Sequence, residues 1–259
     1  MPLAFHEWCE CADEQVNGHT VTSLSGRPAN LAAALKSVAV VVPTHYASEE
    51  HLARILDRLG KGKAADFIRQ KLPSKKTIRS GDLGEILATE YIIENTTFAV
   101  PIKRLRWKDH RNMPMRGDDT IGIKRDPETG RLRFLKAEAK SRVTLQAAVV
   151  TAARQALDKD DGLPSPHALS FISERLFEAG QHGLADAIDN AQLERGITSD
   201  DVEHLIFALS GNSSRPLLIA CLEAYEGVVP QCLVGLHIQA HAQFVRDVYD
   251  QVIVNGNNA

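Results

Sequence analysis

The chain has 259 residues, enough for one large α/β domain or for one domain with a modest appendage. Hydrophobic residues make up 44% and charged residues 24%, a globular balance that excludes a disordered or fibrous protein. The formal net charge of −3 excludes a uniformly basic nucleic-acid coat, and no apolar run reaches the ~20 residues that span a bilayer.

The start, Met1-Pro2-Leu3-Ala4-Phe5-His6-Glu7, has neither the basic opening nor the apolar core of a signal peptide. Four cysteines (Cys9, Cys11, Cys221, Cys232) suit a reducing compartment, so a cytoplasmic location without membrane contact is expected. Cys9-x-Cys11 beside His6 is too closely spaced for a zinc knuckle.

Residues 1–45 are weakly patterned, apart from an apolar run at 38–42 that predicts a strand ending at Pro43. Ser48 opens a helix with Leu52, Ile55, Leu56 and Leu59 at helical spacing, and Gly60 closes it. A second helix, 64–72, stops before Pro73. The polar run Pro73-Ser74-Lys75-Lys76 marks an internal boundary, with an α/β extension over 1–75 and the main domain over 76–259. Residues 81–95 predict a helix with Leu83, Ile86, Leu87 and Tyr91 toward a core, followed by an extended stretch at 97–102. Two strands flank Asp126-Pro127-Glu128-Thr129-Gly130-Arg131, a hairpin signal, and a helix over 143–157 follows. Helices are expected at 168–178 and 184–195, strands at 204–209, 216–222 and 232–238, and a closing helix at 240–252. Strands mixed with crossover helices indicate an α/β or α+β fold built on a mixed sheet flanked by helices.

Glu138-Ala139-Lys140 is the one acidic-x-Lys triplet in the chain. If Asp126 and Arg131 flank a four-residue turn, Asp119 falls directly opposite Glu138, and Lys140 projects from the same face as Glu138. Two carboxylates and an ammonium then converge at the open end of one hairpin. Such hard oxygen donors suit Mg²⁺ or Mn²⁺, which could activate a bound water. Lys140 could orient that water and stabilise developing charge. A surface hairpin with cross-strand charges fits the same residues. Asp118 points to the opposite face, which favours Asp119.

The order of a helix carrying Glu85, then Asp119, then Glu138-x-Lys140, then a helix resembles the PD-(D/E)xK nuclease superfamily, here over residues 79–157. Gly117-Asp118 stands where that pattern has Pro-Asp. More closely, the chain is similar to the HamA family, nuclease-like subunits of bacterial Hachiman antiphage systems. The similar stretches are Gly81-Asp82-Leu83-Gly84-Glu85, Arg116-Gly117-Asp118-Asp119, Lys136-Ala137-Glu138-Ala139-Lys140 and the tail 241–249. The resemblance implies a restriction-endonuclease-like core, with Glu85 as a third metal-binding carboxylate beside Asp119 and Glu138. Its further implications are deoxyribonuclease activity in defence and a superfamily 2 helicase partner, HamB. Gln146 stands where superfamily members often carry a polar residue, although a solvent-facing glutamine fits that position better.

Between 101 and 116 lie Lys103, Arg104, Arg106, Lys108, Arg111 and Arg116 against Asp109 alone, a net of +5. A basic loop leading into Asp119 is placed to hold DNA phosphates, and Trp107 could stack on a base or pack. Residues 178–203 hold seven acids against Arg195. The expected function is a metal-dependent DNA nuclease acting with the helicase. Two alternatives share its features: a non-catalytic DNA- and partner-binding scaffold, and a stand-alone restriction or repair endonuclease.

Overall fold

The computed structural model describes residues 4–115 and 117–258. A one-turn helix α1 (Phe5–Trp8) leads into strands β1 (Cys9–Val16) and β2 (His19–Gly26). Asn17 and Gly18, with φ of 51° and 80°, make the tight turn between them. Residues 38–42, expected as a strand, lie inside helix α2 (Leu31–Tyr46). Ala34, Val38, Val41 and His45 recur at helical spacing and are buried, while Val40 is 63% exposed. Pro43 falls in the last turn, where its carbonyl still accepts the Ala47 amide.

Ser48 caps helix α3 (Glu49–Leu59) by accepting the His51 amide, and Gly60 ends it at a φ of 80°. The apolar stripe of α3 contributes no buried residue. Helix α4 (Lys61–Lys71) stops before Pro73, and the long helix α5 (Lys76–Asn95) follows. The stretch at 97–102 makes a single bridge, Ala99 to Ile123. Strands β3 (Thr120–Arg125) and β4 (Leu132–Arg142) form the expected hairpin. Then come helices α6 (Ala147–Leu157), α7 (Pro166–Glu178) and α8 (His182–Asp189), the last running into a π turn over Asn190–Arg195. Strand β5 (Val202–Ser210), helix α9 (Arg215–Glu223), strand β6 (Gln231–His237) and helix α10 (His241–Asn258) complete the chain. The strand expected at 216–222 is helix α9. Pro216 sits in its first turn, and Leu218 and Leu222, four apart, face inward.

The six strands form one mixed sheet in the order β1-β2-β6-β5-β4-β3. The two outer pairs are antiparallel, and the four central strands, β2, β6, β5 and β4, run parallel. Helices cover both faces. Leu205, Phe207 and Leu209 of β5 face the layer of α2, α5 and α10, while Ile206 and Ala208 face α6 and α9. Ile121, Ile123, Leu132 and Phe134 of the hairpin pack on α7 and α8. Residues before and after Lys75 share this sheet and its larger core. Among the described residues no helix is long and apolar enough to cross a membrane.

A buried polar chain ties the helices of one layer to the basic loop. The Tyr249 and Tyr46 hydroxyls lie 3.0 Å apart, and Tyr46 donates to Asp82 Oδ2 at 2.6 Å. Lys108 Nζ reaches both Asp82 oxygens at 2.8 and 2.7 Å. Burial holds the Asp82 carboxyl above its ordinary range although Lys108 pulls the other way. Replacing one member alone strands the other charge in the interior. Asp82→Ala is therefore expected to destabilise the fold by about 3–5 kcal/mol. The apolar pair Asp82→Leu/Lys108→Met should recover most of that loss. Urea denaturation measures both, and a wild-type midpoint for the single variant would remove this ion pair from the account.

Candidate active site at the open end of the hairpin

The turn sets the geometry. Asp126 Oδ1 accepts hydrogen bonds from the Glu128 amide at 3.0 Å, the Thr129 amide at 2.8 Å and the Thr129 hydroxyl at 2.9 Å. Gly130 takes the positive φ of 67° that the turn requires, and the Asp126 amide closes on the Arg131 carbonyl at 2.8 Å. The pairing runs from Arg125 with Leu132 to Thr120 with Ala137, the expected register. Continued by one residue, it sets Asp119 against Glu138. Asp119 Oδ2 accepts the Ala139 amide of β4 at 3.0 Å, which locks the carboxylate onto the strand.

Glu138 is buried on β4 and forms an ion pair with Lys140. Glu85 arrives from α5, which crosses β4 closely because residue 84 is glycine. A Cβ there would lie 3.1 Å from the Ser141 Cβ. Glu85 Oε2 is sealed from solvent and has no hydrogen-bond partner among the described residues. Burial, then the Asp119 charge, hold the Glu85 carboxyl well above its usual range. Burial also raises Asp119, against the Ala139 amide, Arg104 and Lys140. Glu138 is pushed up to about 7 by burial and Asp119, with Lys140 opposing. The charge on Asp119 thus bears on the titration of both glutamates.

Asp118 turns elsewhere. Its Oδ2 accepts from the Ser165 amide and hydroxyl at 2.8 and 2.9 Å, pinning the start of α7, and its Oδ1 lies 3.6 Å from Lys136 Nζ. Gln146 is exposed at the start of α6 and its side chain makes no capping bond. Beside Lys140, a chain absent from the sequence reading joins three elements. Ser141 Oγ lies 2.8 Å from Ser80 Oγ and 2.8 Å from His241 Nε2. No local motif announces this contact, since its members are far apart in the chain.

Among the described residues, no three His, Cys, Asp or Glu side chains stand in a ready cation cage. The donor set nevertheless fits a hard cation: all three side chains supply carboxyl oxygens of raised proton affinity, and one buried Glu85 oxygen has no partner among the described residues. Cys9 offers no rival site, because burial and the neighbouring Cys11 push its thiol up to about 12.

The basic loop is partly turned inward. Lys103 Nζ binds Glu90 Oε1 at 2.9 Å and Thr44 Oγ1 at 3.2 Å, and Arg106 Nε donates to the Thr44 carbonyl at 2.9 Å. Lys108 is consumed by Asp82. Lys103 and Lys108, expected among the six phosphate-facing cations, are thus ion-paired with Glu90 and Asp82 of α5. Arg104, in the 3-10 turn Arg104–Trp107, lowers the proton affinity of Glu85 and Asp119. Arg111 is exposed, and Arg116 lies outside the described residues. Trp107 packs edge-on against Phe171 of α7, with ring centroids 5.7 Å apart.

Comparison with known proteins matches nearly the whole chain. The Hachiman protein HamA of Bacillus cereus is 25% identical over 250 residues, spanning 95% of this chain and 87% of that protein. The HamA family model matches residues 3–252, from the first helix through the N-terminal hairpin, the carboxylate site and most of α10. On that match, the chain belongs to the HamA family.

Proposed function

We propose that this chain is a divalent-metal-dependent deoxyribonuclease with a PD-(D/E)xK-type core, acting in a Hachiman antiphage complex with a HamB-like superfamily 2 helicase. The observation that carries the reading is the convergence of Glu85, Asp119 and Glu138 beside Lys140, with Glu85 Oε2 buried and unpartnered. The succession of α5, β3, β4 and α6 supports the core assignment.

Asp119, Glu138 and Glu85 would hold Mg²⁺ or Mn²⁺, which when bound offsets their charge and lowers the pKa of a water. The Ala139 amide keeps Asp119 oriented without using its second oxygen. The Lys140 ammonium, already at Glu138, hydrogen-bonds the attacking water and balances charge gathering on the phosphate oxygens. Arg104 adds positive charge on the Glu85 and Asp119 side.

Glu138→Ala and Lys140→Ala should each lower plasmid cleavage in Mg²⁺ by at least about 10²-fold. Thermal melting should stay cooperative, and chelator should mimic the loss in the wild type. Undiminished cutting by either variant would rule out the assignment.

Glu138 carries a proton below about 7 that must leave before it can bind a cation. At subsaturating Mg²⁺ the rate should therefore rise about tenfold per pH unit up to that point and then level off. Saturating Mg²⁺ should move the break to lower pH. A flat profile between pH 5 and 8 (assay range, roughly spanning that pKa) would contradict a titrating Glu138.

With Lys103 and Lys108 turned inward, the 101–116 loop offers fewer free charges to a duplex, and a motor that loads on DNA would raise the strand concentration at the site. The isolated chain should cut poorly at physiological salt, the complex efficiently, and the complex with an ATPase-dead helicase as poorly as the isolated chain. Efficient ATP-independent digestion by the isolated chain would favour the stand-alone nuclease.

A further inference from the structure

A second basic segment lies against the loop. Residues 61–79 carry Lys61, Lys63, Arg69, Lys71, Lys75, Lys76 and Arg79 against Asp66 alone, a net of +6. Packing joins the two segments: Asn112 Oδ1 accepts the Ser74 and Lys75 amides at 2.8 and 3.2 Å, and Arg111 donates to the Arg69 carbonyl at 3.4 Å. Between them opens a cavity of about 300 Å³ whose wall includes Tyr46, Gln70, Lys71, Lys108, His110 and Arg111. Asp109 is the one acid on its wall.

We propose that this pocket holds a backbone phosphate of a nucleic-acid strand, so that α4 and the loop together guide the strand toward the carboxylates. Its volume is at the lower end of small-ligand sites, about that of one nucleotide. Its walls offer donors and few acceptors, the chemistry of an oxyanion site. Lys108 and Tyr46 form a floor held rigid by Asp82, so Lys71 and Arg111 supply the accessible charge. Asp82 lies three residues before Glu85 on α5, one helical turn away, which sets pocket and carboxylates side by side. The argument for a strand, as opposed to a free phosphate ion, rests on the nuclease reading above. The pocket itself does not.

The test is binding of a fluorescein-labelled single-stranded DNA oligonucleotide, followed by anisotropy across a salt series without Mg²⁺. Lys71→Glu/Arg111→Glu should weaken binding more than about tenfold and flatten the slope of log K against log salt by about 1.4, two phosphate contacts. Lys71→Gln alone, a milder change at a half-buried surface position, should flatten it by about 0.7. The control Lys36→Glu/Lys159→Glu alters two exposed cations elsewhere and should leave the slope within error. Inorganic phosphate in the same titration should compete only at millimolar concentration. A slope unchanged in both pocket variants, or an equal loss in the control, would overturn the proposal, and displacement by micromolar phosphate would assign the pocket to the free ion. Cleavage is scored separately. A wild type that never cuts but loses its salt slope in the variants keeps the pocket and drops the nuclease. One that cuts, with variants that bind and cut alike, does the reverse.

Discussion

Bringing three carboxyl groups together away from water is the arrangement on which the rest of the site depends. Each is raised in proton affinity by lost hydration, and Glu85 and Glu138 further by the Asp119 charge, so the cluster opposes its own assembly. The fold holds it together with devices that have no tolerance for drift. The Asp126 turn fixes the hairpin register, Gly84 lets α5 approach β4, and the Ala139 amide clamps Asp119. Ser80, Ser141 and His241 lace α5 and α10 to β4 one residue beyond Lys140. Strain of this kind persists only where surrounding packing outweighs it, as the double-faced core does here.

The acids of α5 meet different fates, and the contrast is informative. Asp82 is matched by Lys108, and Glu94 accepts the Phe5 amide at 2.7 Å. Glu90, half-buried, is held down to about 2 by His45 and Lys103. Glu85 alone keeps an enclosed oxygen with no partner among the described residues. That contrast with Asp82 and Glu90, each matched by a cation, is what supports the metal-binding role proposed for Glu85.

What the sequence made legible was local. The hairpin register followed from Asp126 and Gly130, because turn chemistry is decided within six residues. The closing helix followed from Phe244, Val245, Val248, Tyr249 and Val252, all buried. The run 38–42 misled because β-branched residues dominate it, whereas the helical repeat becomes visible only when Ala34 and His45 are counted with it. At 216–222, where a strand is expected, Pro216 instead sits in the first turn of a helix that Ser214 precedes. Asn17-Gly18 was a strong hairpin signal passed over in a segment judged unpatterned. The inward turn of Lys103 and Lys108 had no local sign at all, since their partners lie 13 and 26 residues away.

The strand order has a kinetic meaning. β2, at residues 19–26, pairs in parallel with β6, at residues 231–237, so the first hairpin and the last strand of the chain are neighbours. During synthesis the hairpin emerges early, yet the strand that completes its sheet is made after more than two hundred intervening residues. Until then its inner edge and its two apolar faces, one carrying Val21 and the other Leu24, have no lasting cover. A protein built this way completes its sheet late and as a whole, so an incomplete chain lacks the packed core against which the carboxylate cluster is held.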